Sequence, residues 1–321
     1  MDGLATLDSV QQDARVSESG QDLHAIQHTL RNAISCRGVG LHSGRIMTLR
    51  LLPAPAGHGI VFRRCDLGID IPARFDHVVD TRLSTVIASS TDARARVATT
   101  EHVMAALAGC RIDNVLIEVD GPEVPALDGS AAQFVFLIDC AGRAAQDAPR
   151  GAIEVLRRVR VQEGEAFAEL RPAPSASFNL ALSIAFRARV IGRQAYSMIL
   201  TEDDFRRELS VCRTFAMLDE IESLREAGLA RGGSLDNAIV VDDDRVLNPA
   251  GLRRSDEFVR HKMLDAIGDL ALAGAPIRGS FVGHRSGHGL NNRLLRKLLA
   301  DPANWRHDTG NAAADEGLLA A

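Results

Sequence analysis

Two stretches of this chain read alike, and the likeness limits the folds open to it. His102-Val103-Met104 opens a run that ends in Ala108-Gly109, with Ile112 three residues on. His261-Lys262-Met263 opens another that ends in Ala273-Gly274, with Ile277 three residues on. Each reads as an apolar helix, an Ala-Gly stop and the start of a strand. A supersecondary unit met twice predicts two copies of a similar α+β domain. The length agrees, since 321 residues exceed one ordinary small domain. The cores must be aliphatic, because aromatic residues make up only 4% of a chain that is 46% apolar.

Residues 1–26 are polar and lack a period, and they read as a disordered N-terminal extension. Residues 27–147 form the first predicted domain and 148–300 the second, with residues 144–151 as a linker between them. Residues 301–321 read as a C-terminal tail. In the first domain, strands are expected at 48–52, 59–62, 69–71 and 115–119. A helix is expected over 101–108, capped by Thr99-Thr100 and stopped by Gly109, and another over 131–140. In the second, strands are expected at 153–161, 166–170, 178–186 and 238–241, with helices at 202–210 and 256–273.

Charge excludes some partners. Of the net −5, residues 1–26 carry −4 and residues 301–321 carry −3, which leaves the body slightly positive. No basic arm or patch argues for nucleic acid. The five cysteines are odd in number, scattered and free of any CxxC, as expected of reduced thiols in the cytoplasm. No apolar run is long enough to span a bilayer, so stable membrane insertion is not expected. Nothing calls for a dimer, and a monomer is expected.

The helix at 256–273 carries a core stripe of Val259, Met263, Ala266, Ile267 and Leu270 within roughly 100° of arc. His261, Asp265 and Asp269, at i, i+4 and i+8, share another side. His261 and Asp265 can reach one ion, or they can form a solvated ion pair. Glu101-His102, at the start of another helix, supplies a second imidazole and a further carboxylate. Neighbouring helical residues diverge by about 100°, so one of the two would ligate while the other faces the open position of the ion. That is the donor set of a catalytic divalent metal. A non-catalytic sugar-binding protein with a structural metal is the alternative, but such sites usually close with four ligands, often thiolates. No cysteine lies near these motifs in sequence.

At these residues the chain resembles the UDP-3-O-(3-hydroxyacyl)-N-acetylglucosamine deacetylases of lipid A biosynthesis. The motifs are Gly38-Val39-Gly40-Leu41-His42-Ser43-Gly44, Thr100-Glu101-His102, the run from Pro125 to Ala131 (PALDGSA) and Arg213-Thr214-Phe215. Gly232-Gly233-Ser234, the run from Asp256 to Asp269 and the run from Ser286 to Asn292 (SGHGLNN) complete the set. The resemblance implies two α+β domains, each a β-sheet layered with two helices, and an active site between them. It implies hydrolysis of the substrate acetamide, releasing acetate and the free amine. His102, His261 and Asp265 would bind Zn²⁺, and Fe²⁺ would suit the same donors.

Glu101 would be the general base, with Thr214, Lys262, Asp269 and His288 around it. Thr214 and Lys262 are expected to stabilise the charge that grows on the carbonyl oxygen. His288, in a loop flanked by Gly287 and Gly289, is expected to be protonated and oriented by Asp269. Either His288 or Glu101 delivers the proton to the leaving amine. An insertion at Ala216–Gly233 would form the acyl channel, with Leu218, Ile221, Leu224 and Ala230 as lining. Leu83, Phe215, Gly233 and Ser234 are also expected at the substrate. His42, His58, His77, His284 and His307 read as structural or surface residues. Many members of the family carry a thiol where this chain has Ser84, so a second metal held there is not expected.

Overall fold

The structure, a computed structural model, describes residues 26–309. Of the expected N-terminal extension and C-terminal tail, residues 1–25 and 310–321 lie outside the described residues. The fold is mixed α+β, with several sheets and six α-helical segments among the described residues. We label the helices α1 (Glu101–Gly109), α2 (Ala132–Ala141), α3 (Glu202–Asp204), α4 (Leu218–Glu226), α5 (Glu257–Ala271) and α6 (His288–Ala300).

A five-stranded sheet organises the first half, in the order Ile34–Val39, Ile46–Pro53, Val115–Val119, Ile60–Arg64, Ile69–Pro72. Its pairs are antiparallel except Ile60–Arg64 with Val115–Val119, which run parallel. Alternation builds its buried face, with Met47, Leu49 and Leu51 on one strand and Val115, Ile117 and Val119 on another. Arg143–Pro149, expected as a linker, is instead a strand paired antiparallel with Ile26–Leu30. It alternates half-buried and exposed residues, and so lacks the apolar run that marks a core strand.

A seven-stranded sheet organises the second half around Ile277–His284. That strand runs parallel to Ala152–Val155 and Phe178–Ala185 and antiparallel to Ala166–Arg171. All but its last residue are buried, as a strand covered on both faces requires. The strand expected over 153–161 is two, Ala152–Val155 and Val159–Glu163, parted by an exposed Leu156-Arg157-Arg158. Trp305–Asp308, at the start of the expected tail, pairs antiparallel with Ala152–Val155.

α5 is the centre of the molecule. It packs on α1, on α6 and on the strands Phe178–Ala185 and Arg193–Ile199. Twelve of its 15 residues are buried, including His261, Asp265 and Asp269. A helix buried on nearly every side cannot hold a solvated ion pair, so that reading of His261 and Asp265 is excluded. One continuous apolar cluster runs through both halves of the chain.

Candidate metal centre

α1 brings the first half's contribution. Thr100 precedes the helix but makes no capping bond, contrary to expectation; its hydroxyl donates to the Thr85 carbonyl at 3.1 Å. Glu101 and His102 then enter a buried crossing with α5. Their predicted divergence is seen. The Glu101 carboxylate accepts from the Thr85 backbone N–H at 3.0 Å, while His102 Nε2 lies 3.4 Å from Asp265 Oδ1.

α5 brings the rest. His261 Nε2 lies 3.2 Å from the same Asp265 oxygen, and one donor atom from each of His102, His261 and Asp265 falls within 4.8 Å of the other two. The Cys212 carbonyl sits 3.1 Å from His261 Nδ1, which leaves Nε2 as the free face of the ring. Lys262 Nζ donates to Asp265 Oδ2 at 2.9 Å. Asp265 Oδ1 is buried and lacks a hydrogen-bond partner. A buried carboxylate oxygen without a partner is costly unless a cation takes it. Two imidazoles and that oxygen therefore fit a divalent metal.

The charges agree. Burial disfavours the ionised form of Asp265, but His261 and Lys262 outweigh it and hold the carboxyl well below its ordinary range. Burial pushes the His261 imidazole down to about 4, the neutral form a ligand needs. Burial also acts against a charged His102, and the Asp265 carboxylate overrides it, so that imidazole sits above its ordinary value. Glu101 is raised by burial, with His288 and His102 opposing.

His288 is the first residue of α6 and not a loop residue, because Gly287 ends the extended segment and the helix begins immediately after it. Asp269 Oδ2 lies 2.9 Å from His288 Nδ1 and accepts from Asn291 at 2.8 Å. Burial opposes a charge on His288, but Asp269 overrides it and lifts the imidazole to about 9. Thr85 joins both acids, since its hydroxyl donates to Asp269 Oδ1 at 2.5 Å and its N–H to Glu101.

Thr214 is seated by a frame. Its N–H donates to the Gly129 carbonyl at 2.8 Å, and the next strand's Ile239 N–H donates to its own carbonyl at 2.8 Å. The preceding Arg213 makes a buried pair with Glu257, in the first turn of α5, at 2.9 Å. The PALDGSA and Arg-Thr-Phe motifs thus meet at this threonine.

A cavity of about 180 Å³ collects Glu101, His102, Thr214, His261, Lys262, Asp265 and His288 with Leu83 and Phe215. Asp269 stands behind His288. A cleft of about 760 Å³ adjoins it, sharing Phe186 and Lys262, with Met217, Leu218, Arg187 and Arg285 in its walls. Ile221, Leu224, Ala230, Gly233 and Ser234 line neither space. No residue of α4 is buried.

Thr85, Glu123 and His42 are among the residues not expected here. Thr85 and Glu123 hold site segments through long-range contacts that no local pattern announces. His42, read as structural or surface, lines the cavity, and both its ring nitrogens are buried without a partner.

An α+β chain with a buried two-histidine, one-carboxylate group, a neighbouring carboxylate and a protonated imidazole belongs with the metal-dependent hydrolases. The comparison with known proteins narrows this. Residues 27–300 match the model of the LpxC family, described as UDP-3-O-acyl N-acetylglycosamine deacetylase, and the chain belongs to that family. It is 51% identical over 280 residues to the UDP-3-O-acyl-N-acetylglucosamine deacetylase of Anaeromyxobacter sp. (strain Fw109-5), covering 87% of this chain and 90% of that one. The protein of the same name from Myxococcus xanthus (strain DK1622) is 50% identical over 279 residues, covering 86% and 87%. That from Phenylobacterium zucineum (strain HLK1) is 50% identical over 283 residues, covering 87% and 95%.

Proposed function

We propose that the chain hydrolyses the acetamide of UDP-3-O-(3-hydroxyacyl)-N-acetylglucosamine, releasing acetate and the free amine, the committed step of lipid A biosynthesis. The observation that carries this reading is the partnerless Asp265 Oδ1 between two imidazoles, in one cavity with Glu101. His102, His261 and Asp265 hold Zn²⁺, although Fe²⁺ meets the same donors. Bound there, the ion supplies Lewis acidity to the water and to the acetamide carbonyl.

The chain's own groups do the rest. Glu101, anchored through one oxygen by the Thr85 N–H, takes the proton of the attacking water. The Thr214 hydroxyl donates to the carbonyl oxygen as it gains charge, and Lys262 adds a positive charge to that side. His288, held as a cation by Asp269, gives its proton to the leaving nitrogen. The adjoining cleft takes the remainder of the substrate, with Met217 and Leu218 offering apolar surface to the acyl chain.

We read residues 27–147 and 148–300 as two copies of one α+β unit with the site between them. In each, a buried helix leads to a central strand and a second helix follows. The strand Arg143–Pro149 closes back on Ile26–Leu30, which supports a boundary just beyond it. The five cysteines are unpaired, which supports a reducing, cytoplasmic setting, and we place the protein there as a monomer. No helix among the described residues is long and apolar enough to cross a membrane.

The test is acetate release from acylated UDP-N-acetylglucosamine. Release that stops with chelator and returns with Zn²⁺ is expected. No release by metal-replete protein would overturn the proposal.

A further inference from the structure

The Gly38–Gly44 motif has no part in the chemistry above, yet the fold gives it one. It forms the turn between Ile34–Val39 and Ile46–Pro53, closed by Gly40 N–H to the Arg45 carbonyl at 2.8 Å and Gly44 N–H to the Gly40 carbonyl at 3.0 Å. Inside it, the successive N–H groups of His42 and Ser43 aim at one buried carboxylate. They reach Glu123 Oε1 at 2.8 Å and Oε2 at 2.9 Å. A third donor, the Thr99 hydroxyl, meets Oε1 at 3.2 Å. The turn wraps so closely that a Cβ on Gly40 would stand 2.4 Å from Glu123 Oε2 and 2.5 Å from Ser43 Oγ.

The outer side of the turn is also occupied. Its Leu41 carbonyl accepts from Gly232 N–H at 3.0 Å and its His42 carbonyl from Arg231 N–H at 3.2 Å. Leu41, His42 and Thr99 line the cavity that holds Glu101 and the metal ligands. Thr99 holds φ at 59°, a left-handed conformation that a β-branched residue adopts only when its surroundings enforce it. The bond to Glu123 is part of that enforcement.

We infer that Glu123 is a positioning residue for the deacetylation: its carboxylate fixes the Leu41–His42 wall of the cavity against the substrate. The inference rests on the reading of that cavity as the reaction site. Its effect falls on substrate binding. Glu101, His261 and Asp265 have separate supports in Thr85, Cys212 and Lys262, and His102 is held in α1 by the buried crossing with α5. A carboxylate can accept all three bonds on its two oxygens, whereas a glutamine has one acceptor oxygen and turns an NH₂ toward a donor. Glu123→Gln must therefore release at least one segment of the wall. Uniform loss of binding raises KM and leaves kcat nearly unchanged.

The experiment compares metal-replete wild type, Glu123→Gln, Gly40→Ala and the double variant, each assayed for acetate release well below its own melting temperature. Gly40→Ala keeps the carboxylate but displaces the turn, so it serves if the Gln variant folds poorly. Each single variant is expected to raise KM about tenfold, with kcat within about threefold of wild type and metal content unchanged. The double variant is expected to add less than about twofold to either single one, because both act on one contact. A wild-type KM in whichever single variant folds overturns the inference, as does a fully multiplicative double variant. A fall in melting temperature with unchanged KM would mark Glu123 as structural only and equally overturn it. If wild type itself releases no acetate, the proposed function fails first, and the two failures are distinct.

Discussion

A Cβ built on Gly268 would fall 2.0 Å from the carbonyl oxygen of Glu101. Only hydrogen at that position lets α5 meet the first turn of α1 at this distance. That approach brings Glu101-His102 against His261, Asp265 and Asp269. Gly268→Ala must push the helices apart or bend α1. We expect a stability loss of about 1–3 kcal/mol, as for overpacked cores. Activity should fall further than that alone implies, by about 100-fold in kcat/KM, since small displacements of reacting groups are costly. Thermal melts beside acetate-release kinetics check both figures, and wild-type kinetics in the variant would show that the crossing does not set the site.

Glu101 touches no metal ligand through a hydrogen bond, so its role and theirs should separate. Glu101→Gln is expected to keep metal content at the wild-type level while kcat drops about 10²–10⁴-fold. Metal analysis of the purified variant alongside its kinetics tests this. Near-wild-type turnover would remove Glu101 from the chemistry.

His288 titrates at about 9 in the folded protein against an ordinary 6.5, because Asp269 overrides its burial. A raised imidazole stabilises the fold fully below pH 6.5, and that contribution fades as pH climbs through 9. Wild type should therefore exceed His288→Gln in stability at pH 6 by on the order of 3 kcal/mol, and the gap should close by pH 10. Denaturant unfolding at both pH values measures it. A gap that does not change with pH would show that His288 is not held as a cation.

Much of the centre was readable in sequence because it depends on helical spacing. His261 and Asp265 are one turn apart, and Glu101-His102 begins a helix, so local geometry already aimed them. Thr85 and Glu123 escaped notice because their partners are remote: Thr85 bonds Asp269 across 184 positions, and Glu123 bonds His42 across 81. Ser286-Gly287-His288-Gly289 has a turn composition, which points to a loop although His288 begins α6. The buried stripe of Leu290, Leu294, Leu295 and Leu298 just beyond it carried the helical period that corrects the reading. α4 and the end of the insertion offered apolar residues at helical spacing, but all of them remain at least partly exposed.

Removing the ion should silence the enzyme without unfolding it. The ligands sit in a crossing already secured by an apolar cluster that spans both halves, so the fold does not depend on the metal. Chelation is expected to abolish acetate release reversibly while lowering the melting temperature by only a few degrees. Cooperative unfolding on chelation would instead mark the metal as structural.

X-ray absorption at the zinc edge of the loaded protein tests the central assignment most directly. Two imidazole nitrogens with oxygen donors, at about 2.0–2.2 Å and with no sulfur, are predicted for His102, His261 and Asp265 with one exchangeable position. A sulfur shell near about 2.3 Å, or a single imidazole, would contradict it.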